Sequence, residues 1–425
     1  MTRKTTLLRI IVLFLLIWPL WSLAADPTAT SYTPSECQGT SMPYPTPAVN
    51  SRVYPDSLTP IYIHHVGRHG SRFLSSSKYT TALMRHLDLA EAQGSLTKTG
   101  KELKKLCSNI IATTAGRWGA LDSLGMAEQR AIASRTHQAF PMLFSETKVS
   151  ALSSYVPRCV ASMDEFTHQL TRLNNKIEIY TSSGRQNSPL MRPWSSDADY
   201  KAFMESEEWH TVYDAYFDQM VGTKIAGKIF GTGYTLDEGE ARDMAINIYK
   251  VVAGCSAMGM RVNASQFFTA EEYNALWAVN NLHHYLTHSA STLSRAPMDM
   301  SARLLAEIVE RTDMAASGSN PYAVELSFGH AETLMPLLAL MRLQGCYYMT
   351  NYFDTVGLHW RDWQIVPMAA NLQMVLFHAK SGRLYLRADL NEVPVSLIPG
   401  RDDKYVPWDD AKAYLTRCLP LMLQP

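Results

Sequence analysis

The chain has 425 residues, with 39 Lys and Arg set against 39 Asp and Glu. A formal charge of zero offers nothing to attract nucleic acid or an anionic membrane surface, so neither is expected as a partner. The length exceeds what one hydrophobic core usually serves and points to two lobes.

The first residues address the compartment. Arg3, Lys4 and Arg9 form a basic leader, and an uncharged apolar run follows from Ile10 to Trp21. Ser22 and Ala24 are the small residues a signal peptidase reads, so residues 1–24 read as a signal peptide cut after Ala24 or Ala25. An uncleaved anchor would need roughly 20 apolar residues, and this run is shorter and carries Pro19. The expected location is secreted or periplasmic, without stable membrane insertion after cleavage. Six cysteines remain: Cys37, Cys107, Cys159, Cys255, Cys346 and Cys418. No C-x-x-C spacing supports a zinc ribbon, and an even count in an exported protein predicts disulfides of unassigned connectivity.

Residues 26–59 are rich in Pro, Ser and Thr and read as an extended segment. The first strand is expected over Pro60–Val66, ended by Gly67, and helical patterns follow, including Gly100–Ala112 and Met126–Ala139. A short strand over Val149–Tyr155 precedes Pro157-Arg158-Cys159. From Asp164 to Ser317 no strand is expected, and helical windows such as Leu236–Val252 and Ala270–Leu286 dominate. Strand character returns at Tyr322–Phe328, before a helix over Ala331–Leu343. Asn371–Lys380 and Arg383–Leu390 flank Ser381-Gly382, a hairpin signal. The fold class is α/β, with an α/β domain over 25–163 and 318–425 interrupted by a mainly helical insertion at 164–317.

Three strand ends deliver Arg or His. In His64-His65-Val66-Gly67-Arg68-His69-Gly70-Ser71-Arg72, the residues from Arg68 onward lie just beyond a strand's C-terminal end, where open α/β sheets bind ligands. Two arginines flanking His69 offer several N–H donors and two fixed charges, which suits a phosphate gripped bidentately. In Ser327-Phe328-Gly329-His330-Ala331-Glu332, a histidine stands at the mouth of a helix, where unsatisfied N–H groups favour an anion. Glu332 by itself is better explained as a first-turn acid, favoured at a helix start. Arg158, beyond the middle strand, would mean little alone.

Taken together, Arg68-His69-Gly70-Ser71-Arg72, Arg158-Cys159-Val160-Ala161-Ser162 and Gly329-His330-Ala331-Glu332 resemble the histidine acid phosphatases, branch two of the histidine phosphatase superfamily. The His-Ala-Glu form is similar to the multiple inositol polyphosphate phosphatases, as are Ile365–Leu372 and Leu390–Pro394. Leu74 departs from the pattern, since many members carry proline there. The resemblance implies a histidine-phosphatase-like central sheet with flanking helices. It implies a phosphomonoesterase acting on a small polyphosphorylated molecule such as phytate. His69 would be the nucleophile, forming a phosphohistidine. Arg68, Arg72, Arg158 and His330 would bind the phosphate oxygens, and Glu332 would be the proton donor. No cofactor or metal is called for, because the arginines supply the neutralising charge. A broad acid phosphatase and a non-catalytic phosphate-ester binding protein are the competing readings.

Other features carry less. His64, His65 and His69 share an H-H-x-x-x-H spacing with His283, His284 and His288, but a strand and Gly67 disfavour a zinc pair in the first. The second group reads as surface or core histidines. Lys98, Lys101, Lys104 and Lys105 read as a solvated helix face, whereas Lys78, soon after the His69 loop, is a candidate contact for an outer phosphate. Asn263-Ala264-Ser265 is a glycosylation sequon that matters only in a eukaryotic host.

Overall fold

The computed structural model describes residues 31–47, 53–145 and 147–423, and those from Tyr32 onward form one compact unit. The signal peptide expected over residues 1–24 lies outside the described residues. One eight-stranded sheet organises the unit: β1 Leu58–Arg68, β2 Lys148–Ser153, β3 Glu178–Ser182, β4 Val324–Gly329, β5 Asn371–Ala379, β6 Leu384–Leu390, β7 Val393–Val395 and β8 Val406–Pro407. The order is β3-β2-β4-β1-β5-β6-β7, with β8 also on β6. The pairs from β3 to β1 are parallel and those from β1 onward antiparallel.

Alternation along the strands separates two cores. Ile63, Val149, Leu326, Phe328 and Val375 pack with Met163, Phe166 and Leu170 of the α4 helix Pro157–Leu173 and with Ile132 of the α3 helix Ser123–Ala139. Tyr62, Val66, Leu372 and Met374 face the opposite way, against helices Ala302–Ala316, Ala331–Leu340 and Trp408–Cys418. Covering both faces is what a parallel half-sheet of buried strands requires. A further core joins the α1 helix Lys78–Ala92 and the α2 helix Lys98–Thr114 to helices Glu238–Gly254 and Ala270–His288. The last two helices begin with reciprocal capping boxes, Asp237 with Glu240 and Thr269 with Glu272, which explains their sharp starts.

The register places three strand ends side by side. Arg68 of β1 pairs with Gly329 of β4, and Ser153 of β2 pairs with Phe328. β5 starts at the same edge, with Asn371 opposite Gly67. Its hairpin to β6 turns at Gly382, whose φ of 84° is a left-handed conformation that glycine adopts without steric cost.

Two expectations are corrected. The segment from Asp164 to Ser317 is not free of strands, because β3 runs through it and pairs with β2. It is a short edge strand with mostly exposed side chains, so its sequence carries no apolar run to betray it. The disulfides are absent: all six cysteines are free thiols, every one buried. Five of them fill apolar cores as small hydrophobic residues, Cys37, Cys107 and Cys255 in one and Cys346 and Cys418 in another. Among the described residues no helix is long and apolar enough to cross a membrane.

Candidate active site

The loop after β1 is built for close approach of backbone. A Cβ on Gly70 would stand 2.5 Å from the carbonyl oxygen of Gly125, and one on Gly125 would stand 2.1 Å from that of Ser71. Only two glycines let the loop lie on the first turn of α3. Glu128, one turn further along, fastens it by accepting from Ser71 N at 2.7 Å, Ser71 Oγ at 2.8 Å and Tyr44 N at 2.9 Å. Burial raises the Glu128 carboxyl, and the three donors oppose that shift.

The loop delivers Arg68, His69 and Arg72. His69 is 2 % exposed, and its backbone is held by Gly329 O and Ala369 N, both at 3.0 Å. Its Nδ1 lies 2.9 Å from the carbonyl of Gly70, which can only accept, so Nδ1 carries the hydrogen and Nε2 keeps its lone pair. Burial first, then Arg158, Arg68 and Arg72, holds the imidazole well below its ordinary range and therefore neutral. Arg68 is anchored through Nη1 to the carbonyls of Thr40 and Val366, both at 2.6 Å, and Arg72 through Nη1 to Phe73 O at 2.9 Å.

The neighbouring strand ends complete the cluster. Arg158, in the first turn of α4, puts Nη2 3.2 Å from Nδ1 of His330, which caps the helix after β4. The His330 Nε2 lies 3.0 Å from Ser154 Oγ, beyond the end of β2, and 3.4 Å from Arg192 Nη1. The rings of His69 and His330 stand 5.7 Å apart at 78°. Burial lowers His330 to about 3, so it too is neutral near pH 7. Glu332 lines the same cleft. Burial raises its carboxyl, but His330, His288, its own helix N–H and Arg68 outweigh that and hold it at about 2. His330 and His288, the largest of these opposing influences, act only when protonated, so with both rings neutral only the helix N–H and Arg68 oppose the burial shift.

Three guanidinium groups, of Arg68, Arg72 and Arg158, line this cleft, and that of a fourth, Arg192, reaches His330 from beside it. Each keeps a buried Nε without a partner, and among the described residues none of the four forms an ion pair. Burial lowers Arg68 to about 10 and, together with Arg158 and Arg68, lowers Arg72 to about 9. Arginines without ion-pair partners around two neutral imidazoles can hold an oxyanion, and Arg68 and Arg72 are desolvated cations repelled by Arg158.

The structure brings Arg68, His69, Arg72, Arg158, His330 and Glu332 together. Lys78 is exposed at the start of α1, its ammonium 4.7 Å from the ring of Tyr79, and is not in the cleft wall. Sequence reading missed Arg192, which lies in irregular chain beyond β3 and has no motif around it. It also missed Lys250 and Asn280, and it set aside His283 and His284; all four line the cleft, which encloses about 290 Å³. Among the described residues no group of three or more His, Cys, Asp or Glu is placed to hold a metal ion.

Comparisons with known proteins agree with this geometry. No family model matches the chain. The multiple inositol polyphosphate phosphatase 1 of Gallus gallus is 24% identical over 385 residues, covering 85% of this chain and 82% of the relative. The Homo sapiens protein of the same name is 24% identical over 365 residues, covering 77% and 72%. Among solved structures, the Bifidobacterium longum multiple inositol polyphosphate phosphatase in complex with inositol hexasulfate superposes with a TM-score of 0.76 at 17% identity, covering 91% of this chain and 99% of the other. A phytase from D. castellii superposes with a TM-score of 0.69 at 14% identity, covering 93% and 88%. The fold is the one these phosphatases share, and the resemblance drawn from the three strand-end motifs has independent support in both sequence relatives and structure.

Proposed function

We propose that this chain is an exported phosphomonoesterase that hydrolyses inositol polyphosphates through a phosphoryl group carried on His69. The observation that carries the reading is the set of unpaired guanidinium groups, three lining the cleft and a fourth reaching His330, around two neutral imidazoles, one of which has a free Nε2. The chain's curated relatives are named as phosphatases of that substrate class, and a structural neighbour is described in complex with inositol hexasulfate.

In this mechanism Nε2 of His69 attacks phosphorus in line, and the ester oxygen leaves with its bonding electrons. The Nδ1–H to Gly70 holds the ring in the tautomer that makes Nε2 nucleophilic. Arg68, Arg72 and Arg158, with His330, bind the equatorial oxygens and offset the charge spread over them. Glu332 supplies the proton to the leaving oxygen. Arg68 and the helix N–H favour its ionised form, and a phosphate dianion against Arg68 offsets that field. The carboxyl then takes up a proton, delivers it to the leaving alkoxide, and recovers it from the water that attacks phosphohistidine. Export rests on the basic and apolar leader ending at Ser22-Leu23-Ala24.

The experiment is phosphate release from phytate by the purified protein, with sugar phosphates and phosphoglycerates alongside. The reading expects phytate to have the highest kcat/KM. Tight binding of phytate without release would leave a phosphate-ester binding protein, and preference for sugar phosphates would leave a broad acid phosphatase.

A further inference from the structure

The connection from β6 to β7 is a two-residue turn of Asn391 and Glu392, closed by the pairing of Leu390 with Val393. Both turn residues are left-handed, with φ of 49° and 65°, and neither is glycine. A tight hairpin of this kind usually carries glycine at its second position, because a Cβ there crowds the following carbonyl oxygen. Glu392 is also fully buried. A strained backbone and a buried carboxylate persist only where the surroundings hold both in place. Asn391 is fixed by accepting from Asn371 N at 3.1 Å and by donating through Nδ2 to Gln364 O at 3.1 Å and Ile365 O at 3.2 Å.

The Glu392 carboxylate meets Arg135 in a fork. Nε of Arg135 lies 3.2 and 3.1 Å from its two oxygens, and Nη2 lies 2.6 Å from Oε2. Oε2 also accepts from the hydroxyl of Tyr44 at 3.0 Å. Tyr44 reaches on towards the His69 loop, because its backbone N–H donates to Glu128, the residue that holds Ser71 N and Oγ. Arg135 and Glu128 belong to the same helix, α3, and a spacing of seven residues puts them on one face two turns apart. Gln129, beside Glu128, donates to Arg68 O at 2.9 Å. What α3 offers the loop, the Gly125 seat, Glu128 and Gln129, therefore depends on a helix that Glu392 pins further along. Asn391 works on the other side, since it holds Ile365, and the next carbonyl, Val366 O, anchors Arg68 Nη1. Glu392 itself does not line the cleft.

We propose that Glu392 is a positioning residue for phosphoryl transfer: through Arg135 and Tyr44 it fixes α3 and Glu128, and so the loop that carries His69 and Arg72. The turn keeps a glutamate where glycine would fit with less strain, because only a side chain that reaches Arg135 and Tyr44 closes this framework. Glu392 touches no substrate, so its loss reaches catalysis only through the loop. A slightly displaced His69 loses its in-line approach to phosphorus, whereas the rest of the cleft still binds the substrate. The proposal rests on the phosphatase reading for its reaction, and half of its test needs no turnover.

The test compares the wild-type protein with Glu392→Gly and Tyr44→Phe, by steady-state kinetics on phytate and by hydrogen exchange of the peptide spanning residues 67–74. Glu392→Gly relaxes the backbone and removes the carboxylate, a change that a residue serving only the turn would tolerate. It should lower kcat by about 10- to 100-fold while KM changes by less than about threefold. Exchange at residues 67–74 should quicken, with helix Trp408–Cys418, on the far face of the sheet, left at its wild-type rate. Tyr44→Phe keeps the Arg135 pair, so it guards against misfolding of the first variant and should show the same pattern more weakly. Wild-type kcat in a folded Glu392→Gly, a rise in KM without loss of kcat, or unaltered exchange at residues 67–74 in both variants would overturn the proposal. If the wild-type protein releases no phosphate from any ester, the phosphatase reading fails, while the exchange comparison still decides whether Glu392 holds the loop.

Discussion

Arg158 and His330, 172 residues apart in the chain, meet with Nη2 and Nδ1 separated by 3.2 Å. The contact exists because β2 and β4 are parallel neighbours and finish together, so α4 and the helix after β4 both begin at the same edge. An arginine has no acceptor, so His330 Nδ1 can only receive from Arg158, while Nε2 lies between Ser154 Oγ at 3.0 Å and a second donor, Arg192 Nη1, at 3.4 Å. A neutral His330 satisfies this arrangement and a protonated one does not. Parallel strands, helix starts and a neutral ring are thus parts of one relationship.

Arg158→Ala should lower kcat on phytate by about 10²- to 10³-fold, the usual loss for a donor aimed at developing charge. Arg158→Lys should recover only part, because the lysine ammonium lacks the planar fork. Steady-state kinetics decide this, and a loss of less than about threefold would remove Arg158 from the phosphate site.

Glu332→Gln should discriminate between leaving groups. An inositol alkoxide needs a proton, whereas p-nitrophenolate departs without one. The variant should therefore lose roughly 10²- to 10⁴-fold on phytate and far less on p-nitrophenyl phosphate. Equal losses on the two esters would return Glu332 to the role of a first-turn acid, worth about 0.3–1 kcal/mol to its helix.

Gly125→Ala tests the packing under the His69 loop. The new Cβ would stand 2.1 Å from Ser71 O, which accepts from Asp122 N at 3.0 Å, and 2.6 Å from Ser71 N, which Glu128 holds. The loop must move, so activity should fall at least about tenfold, since small misplacement of reacting groups is expensive. Circular dichroism should still show a folded protein. Unaltered kinetics would mean that the loop tolerates displacement and that its two glycines are incidental.

Stability should fall on acidification. Burial lowers His64 and His288 to about 4 and His330 to about 3, whereas in the unfolded chain they titrate near 6.5. Below pH 6.5 the unfolded state binds protons that the native state refuses, so stability declines until the folded values are passed, by about 1.4 kcal/mol per pH unit for each histidine. Glu128, raised by burial, opposes the trend at the acid end. Urea midpoints between pH 7 and 4 check the sign. His64→Gln should reduce the slope by one proton, and a flat profile would contradict the burial of these neutral rings.

Much of the site was legible because its chemistry follows strand ends. Gly67, Gly329 and Pro157 punctuate apolar runs, and the residues beside them, Arg68, His330 and Arg158, meet once parallel pairing aligns the runs. The β5–β6 hairpin was equally readable from Ser381-Gly382. What escaped depends on tertiary placement. Arg192 belongs to no periodic element and is oriented by Tyr155 and Trp194, whose rings lie 5.4 and 5.0 Å from its guanidinium carbon. Lys250 sits in a helix whose sequence looks like ordinary core packing, and nothing local states that one face opens on a cleft. His283 and His284 were read as bland for the same reason. The cysteine count misled because parity says nothing about bonding: even the thiols that share a core, Cys37, Cys107 and Cys255 in one and Cys346 and Cys418 in another, remain free.

The central claim is that His69 carries the phosphoryl group. The most direct measurement mixes the protein with ³²P-labelled substrate, quenches turnover in denaturant at alkaline pH, where a phosphoramidate survives, and maps the label by peptide sequencing. The account predicts one phosphate per active chain at most, on the peptide containing His69, stable to alkali and lost in acid, and absent from His69→Ala although that variant remains folded. Label on any other residue, or multiple turnovers by His69→Ala, would contradict it.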